Sequence, residues 1–84
     1  MSEPATVTIY SAPWCAFCRM AKDYLTSLNV AYKDINVDED HDAARAMVAK
    51  TGQAGIPVLE IGEAVVIGFD KPRIDSALKQ YNLA

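Results

Sequence analysis

Two strand-like runs bracket one amphipathic helical pattern near the start of the chain, and that order leaves the fold little freedom. Residues 6–10 (TVTIY) are β-branched and aromatic without a breaker and read as a buried strand, while residues 31–37 (AYKDINV) alternate as a second. Between them, over residues 15–28, Phe17, Met20, Ala21, Tyr24, Leu25 and Leu28 recur at three- and four-residue spacing, which predicts a helix. Ser11, Ala12 and Pro13 end the first strand and Asn29 ends the helix. A helical crossover of roughly 15 residues makes the two strands pair in parallel, through a right-handed connection.

The remainder continues the pattern. Residues 38–42 lead through acidic side chains, suited to a positive dipole end, into a second helix with Ala43, Ala44, Ala46, Met47, Val48 and Ala49, closed by Thr51-Gly52. Residues 56–61 (IPVLEI) read as a third strand opening with a proline. Gly62-Glu63 forms a hairpin turn, and residues 64–67 a fourth strand that Gly68 breaks. A last helix starts at Lys71-Pro72, where proline is acceptable in the first turn, with Ile74, Ala77, Leu78 and Tyr81 on one face. The order β-α-β-α-β-β-α leaves no linker, repeat or low-complexity tract, so a single domain over residues 1–84 is expected. A chain of this length, about half apolar, buries somewhat over ~60% of its extended surface and folds without staples.

The only two cysteines, Cys15 and Cys18, stand where the first strand gives way to the first helix. A disulfide between them closes too short a loop to restrict the unfolded chain much, so the pair reads as chemistry rather than scaffold. In a βαβ setting, Cys-x-x-Cys is the signature of a thioredoxin-like redox site; in a loop it is more often half of a metal site. Zinc needs further ligands, and the one histidine, His41, stands at the second helix with no other cysteine. The acidic run at residues 38–42 fails as a calcium loop, because Ala43 and Ala49 fall where the turn glycine and the bidentate glutamate belong. No metal site is therefore expected.

The formal net charge is −3 and the eight basic residues are scattered, which argues against nucleic acid as a partner. No apolar run approaches the ~20 residues of a membrane span. Residues 1–6 lack the basic and apolar regions of a secretory signal, so a cytoplasmic location is expected, where thiols stay reduced.

Three landmarks in order point to a family: YSAPWCAFC at residues 10–18, Gly55-Ile56-Pro57, and Gly68-Phe69-Asp70 after the last strand. Over nearly its whole length the chain resembles the thioredoxin-fold redoxins, and most closely the small glutaredoxin-like proteins. The resemblance implies an α/β thioredoxin fold, with a four-stranded mixed sheet and helices on both faces. It implies a thiol-disulfide oxidoreductase in which Cys15 attacks and Cys18 resolves, acting on disulfide-bearing proteins or small molecules without a tightly bound cofactor. It also implies that Ile56-Pro57 is cis and presents the Ile56 backbone to an extended substrate, much as a strand adds to a sheet edge. Gly68, Phe69 and Asp70 belong to the implied binding surface.

Two departures bear on the electron donor. Glutathione-using members usually carry a lysine where this chain has Ala12, and a Gly-Gly pair where it has Ile67-Gly68. Trp14 before the first cysteine resembles thioredoxin, and Gly68-Phe69 resembles the redoxins that thioredoxin reductase reduces and that serve ribonucleotide reductase. The donor is thus glutathione or thioredoxin reductase, with the balance toward the latter. The competing class of function is a binding module that holds an iron-sulfur cluster between two protomers with glutathione, without turnover. A monomer is otherwise expected.

The chemistry sets a requirement. A free thiol has a pKa near ~8.5 and attacks as thiolate, so Cys15 needs about 2 kcal/mol of help to lose its proton at neutral pH, which a helix N-terminus can supply. Arg19, four residues on, is a candidate cation weighed against an ordinary solvated arginine, and Lys22 is a weaker one. Trp14, Phe17, Ile56 and Phe69 are candidates for an apolar rim, weighed against plain core packing. Pro13 reads as a loop former.

Overall fold

The computed structural model describes residues 6–83; the first five residues of the stretch read above for a secretory signal lie outside it. Strand β1 (Val7–Ser11) leads to helix α1 (Ala16–Ser27), β2 (Lys33–Asn36), α2 (His41–Thr51), β3 (Val58–Ile61), β4 (Ala64–Ile67) and α3 (Lys71–Gln80). The strands form one mixed sheet in the order β2-β1-β3-β4, with β1 parallel to β2 and both other pairings antiparallel. This is the thioredoxin fold that the family resemblance implies.

Strand alternation decides which helix covers which face. Val7 and Ile9 of β1, with Leu59, Ile61 and Val66, pack on Ala21 and Leu25 of α1 and on Ile74, Ala77 and Leu78 of α3. Tyr10 and Val58 point the other way and meet Met47 of α2. Fully burying each large aliphatic side chain in these clusters stabilises the fold by roughly 1.5–3 kcal/mol, which is why the alternation specifies register.

Three local readings change. β1 runs through Ser11 rather than stopping at Tyr10: Ser11 pairs with Asn36 in the sheet, and its hydroxyl finds an acceptor in Asp34. The second strand is shorter than residues 31–37, although Val37 still donates its N–H to the Ser11 carbonyl at 2.9 Å. The third begins at Val58 rather than Ile56, since Pro57 has no N–H to give a ladder and the Ile56-Pro57 bond is cis.

The face of α1 also differs from the helical pattern. Cys18, Ala21 and Leu25 are its buried line, whereas Phe17, Met20 and Leu28 are exposed. The apolar arc is wider than the strip that meets the sheet. Only Tyr24 of the flanking line is partly covered, where α3 reaches it.

Candidate active site

Cys15 is the N-cap residue of α1: its backbone is extended, and its Sγ accepts the Cys18 N–H at 3.1 Å. The side chain thus does what a serine or aspartate does at most helix starts, satisfying an otherwise orphaned donor. Its own N–H bonds the Ala12 carbonyl at 3.1 Å, tightening the turn that delivers it. The two cysteines are joined in a disulfide, with Cα atoms 5.2 Å apart. Their exposures differ: Cys15 retains 9% of its surface and Cys18 none.

The registers bring the other landmarks to the same end of the sheet. Tyr10 pairs with Val58, so the Ile56-Pro57 step before Val58 lies opposite the end of β1 that leads to Cys15. Pro57 is buried and Ile56 is half-buried against Tyr10, Met47 and Val58. The Pro57 carbonyl accepts the Gly68 N–H at 2.8 Å, and Gly68 has φ 84°, a conformation that favours glycine. Among the described residues, the Ile56 N–H and carbonyl have no hydrogen-bond partner within the chain.

The apolar residues divide. Trp14 and Phe17 flank Cys15 with 71% and 62% of their surface exposed, and Met20 continues the same line along α1. Phe69, in contrast, is half-buried, edge-on to Tyr24 with ring centroids 6.0 Å apart, so it anchors its loop to the core more than it forms a rim. The Tyr24 ring also lies under Lys71 Nζ at 4.7 Å, and its hydroxyl donates to Asp75. Asp70 caps α3 by accepting the Arg73 N–H at 3.3 Å and pairs with the Arg73 guanidinium.

The two candidate cations are placed differently from each other. Arg19 is exposed, with no ion pair among the described residues. Lys22 turns to Asp34 of β2 at 3.0 Å, and the other oxygen of that carboxylate accepts the Ser11 hydroxyl at 2.5 Å. Burial pushes the Asp34 carboxyl up, but the bonds from Ser11 and Lys22 outweigh it and leave it below the usual range. Ala12, at the usual lysine position, is buried, and Ile67 is exposed.

Two further contacts escaped the sequence reading. The Trp14 indole donates to Asp38 Oδ2 at 2.7 Å, tying the residue before Cys15 to the loop after β2. Gln53 clamps the turn before Ile56, its Oε1 accepting the Gly55 N–H at 2.6 Å and its Nε2 donating to the Gly55 carbonyl at 3.1 Å. Both are side-chain pairings set by loop geometry, for which the sequence offers no pattern.

A parallel βαβ unit whose helix is capped by one member of a Cys-x-x-Cys pair, facing a cis X-Pro step across the sheet end, defines a thioredoxin-fold redox protein. The family model for glutaredoxin matches residues 7–66, and the chain belongs to that family. It is 35% identical over 74 residues to a glutaredoxin-like 8.6 kDa protein of the Clostridium pasteurianum rubredoxin operon, covering 88% of this chain and 99% of that one. A glutaredoxin of Neisseria meningitidis is 42% identical over 65 residues, 76% of each chain. Among solved structures, the glutaredoxin-like NrdH-redoxin of Escherichia coli superposes with a TM-score of 0.79 at 30% identity, covering 84% of this chain and 92% of that one.

Proposed function

We propose that the protein is a dithiol oxidoreductase that reduces disulfides of proteins or small molecules by attack of Cys15 and resolution by Cys18. The observation that carries this is the asymmetry of the pair: Cys15 Sγ sits at a helix N-terminus accepting an N–H, while Cys18 is fully buried one turn inward. A helix-end donor favours the thiolate over the thiol at Cys15. The Cys15 thiolate attacks one substrate sulfur and expels the other, forming a mixed disulfide. Cys18 then bonds to Cys15, and the substrate sulfur leaves with the electron pair and takes up a proton. Two electrons pass from the dithiol to the substrate.

The exposed Trp14 and Phe17 and the unpartnered Ile56 backbone suit an extended disulfide-bearing segment laid beside Cys15. For the reductant we favour thioredoxin reductase over glutathione. The support is the absence of a cation at buried Ala12 and the likeness to the E. coli redoxin, described as having a thioredoxin-like activity profile. The setting is a reducing compartment such as the cytoplasm.

The test couples insulin reduction to NADPH oxidation in two arms, through thioredoxin reductase or through glutathione and glutathione reductase. Turnover should be seen in the first arm and fall to background in Cys15→Ser. A parent rate no higher than that of Cys15→Ser in both arms rejects the enzyme reading. Brown, cluster-bearing protein after anaerobic purification would favour the non-turnover module instead.

A further inference from the structure

We propose that Ser11, Asp34 and Lys22 form a positioning network that keeps the buried Cys18 protonated, so that Cys15 alone carries the thiolate in the reduced protein. The inference rests on the assignment of Cys15 as attacker and explains what enforces it.

The placement follows from the faces of β1. Val7 and Ile9 pack against α1, so Ser11, two residues on, faces the same layer, and Asp34 confirms this by holding Ser11 and the α1 residue Lys22 together. In a βαβ unit the helix runs back against its strands. Lys22 lies one turn beyond Cys18, a rise of about 6 Å, and two residues of strand span about 6.6 Å. Moving from Lys22 to Cys18 therefore matches moving from Ile9, the register partner of Asp34, to Ser11. By these rises Ser11 comes to the level of Cys18 along the helix.

Its proton is already committed. Asp34 is ionised, so in the 2.5 Å contact the hydroxyl must donate and the carboxylate accept. The Ser11 oxygen can offer only lone pairs toward α1. A Cys18 S–H is compatible with that acceptor. A Cys18 thiolate would meet no donor there and would feel the Asp34 charge, softened only by Lys22. Cys15 Sγ has the opposite setting, a helix N–H pointed at it. Other charged groups around α1 are engaged elsewhere or solvated: Arg19, Asp23 and Lys33 are exposed, Asp38 is held by the Trp14 indole, and Lys71 and Asp75 of α3 are held at Tyr24. During resolution Cys18 gives up its proton as its sulfur bonds to Cys15, and the departing substrate sulfur takes the electron pair and a proton.

The test titrates Cys18 by thiolate absorbance in the Cys15→Ser chain, with folding checked by circular dichroism. Asp34→Asn removes the negative charge and no longer holds the hydroxyl with a charged acceptor, and should raise the Cys18 thiolate fraction at a fixed pH by about threefold. Lys22→Met leaves the carboxylate uncompensated and should lower it by a similar factor, while Lys22→Arg should retain the parent value. Ser11→Ala should shrink both effects. Loosened packing would move the first two variants the same way; opposite signs mark electrostatic control. Same-sign or absent shifts overturn the proposal. Because the readout is a titration and not turnover, a protein that titrates as expected yet fails to reduce insulin would overturn the enzyme reading alone.

Discussion

Adjacent residues of β1 build the same device on opposite faces of the sheet. Ser11 donates to Asp34 of β2, which pairs with Lys22 of α1; Tyr10 donates to Glu60 of β3 at 2.8 Å, which pairs with Lys50 of α2. Each is a hydroxyl, a carboxylate from a neighbouring strand and a lysine from the covering helix. They differ in depth and in neighbourhood. The Glu60 side chain is 19% exposed beneath α2, whereas Asp34 is 41% exposed on an edge strand beside the helix that carries the cysteines. The comparison teaches that one polar motif can serve two ends: the deeper copy locks a helix to the sheet, and the shallower one stands where its charge can bias a thiol.

The largest effect expected of breaking this symmetry is on stability. Glu60→Ala leaves the Tyr10 hydroxyl without its acceptor in the core and should cost about 2 kcal/mol, read from the urea midpoint. Asp34→Ala orphans the buried Ser11 hydroxyl but removes a half-solvated ion pair worth little, so about 1 kcal/mol is expected. An equal or reversed order would show that exposure does not rank the two networks.

A smaller effect separates them by pH. Burial pushes Glu60 up, but its bonds from Lys50 and Tyr10 outweigh that and hold it below the usual range, as Ser11 and Lys22 do for Asp34. Carboxylates depressed by folding contribute stability present above their unfolded pKa and lost as pH falls through the folded one, so both networks weaken in acid. The Glu60 network also has an alkaline limb. Burial and the bond to Glu60 raise the Tyr10 pKa, and the bond to Glu60 raises that of Lys50. Groups raised by folding contribute below their unfolded pKa and lose it as pH rises through the folded value. Thermal melts of Tyr10→Phe should therefore converge on the parent as pH climbs through the tyrosine range, and those of Asp34→Asn should converge on it in acid. Tyr24, raised chiefly by its bond to Asp75, is common to all these chains and cancels in the difference.

Neither network was legible in the sequence, and the reason is physical. The order of elements was readable because apolar period and turn chemistry are local: β1, α1 and β2, the Gly62-Glu63 turn and the proline start of α3 all fall close to where those signals put them, with only their ends displaced. The cysteine pair was legible for the same reason. Ser11 was read as a breaker because its acceptor lies 23 residues away, and the Trp14–Asp38 bond spans 24. Such pairs exist only once the crossover has formed. Phe17 and Met20 lie on the apolar arc of the helical pattern, which does not say which part of the arc meets the sheet; Phe17, also a rim candidate, is exposed, and so is Met20. The cis Ile56-Pro57 bond followed from family resemblance, not from any property of the dipeptide.

The smallest expected effect is the most telling about independence. Asp34 and Glu60 sit on strands that flank β1, about 9–10 Å apart by strand spacing and on opposite faces, and they share no partner. Their only physical link is the backbone of β1, where Tyr10 and Ser11 are consecutive. Sites so separated usually add to within about 0.3–0.5 kcal/mol, so a double-mutant cycle of Asp34→Asn and Glu60→Gln should give a coupling energy no larger than that. A larger coupling would mean that β1 shifts as a rigid strand when either carboxylate is neutralised. In that case, changes beneath α2 would reach the cysteines, and the Cys18 titration should respond to Glu60→Gln as well as to Asp34→Asn. If the cycle closes additively and Glu60→Gln leaves Cys18 unmoved, control of the thiol belongs to the α1 face alone.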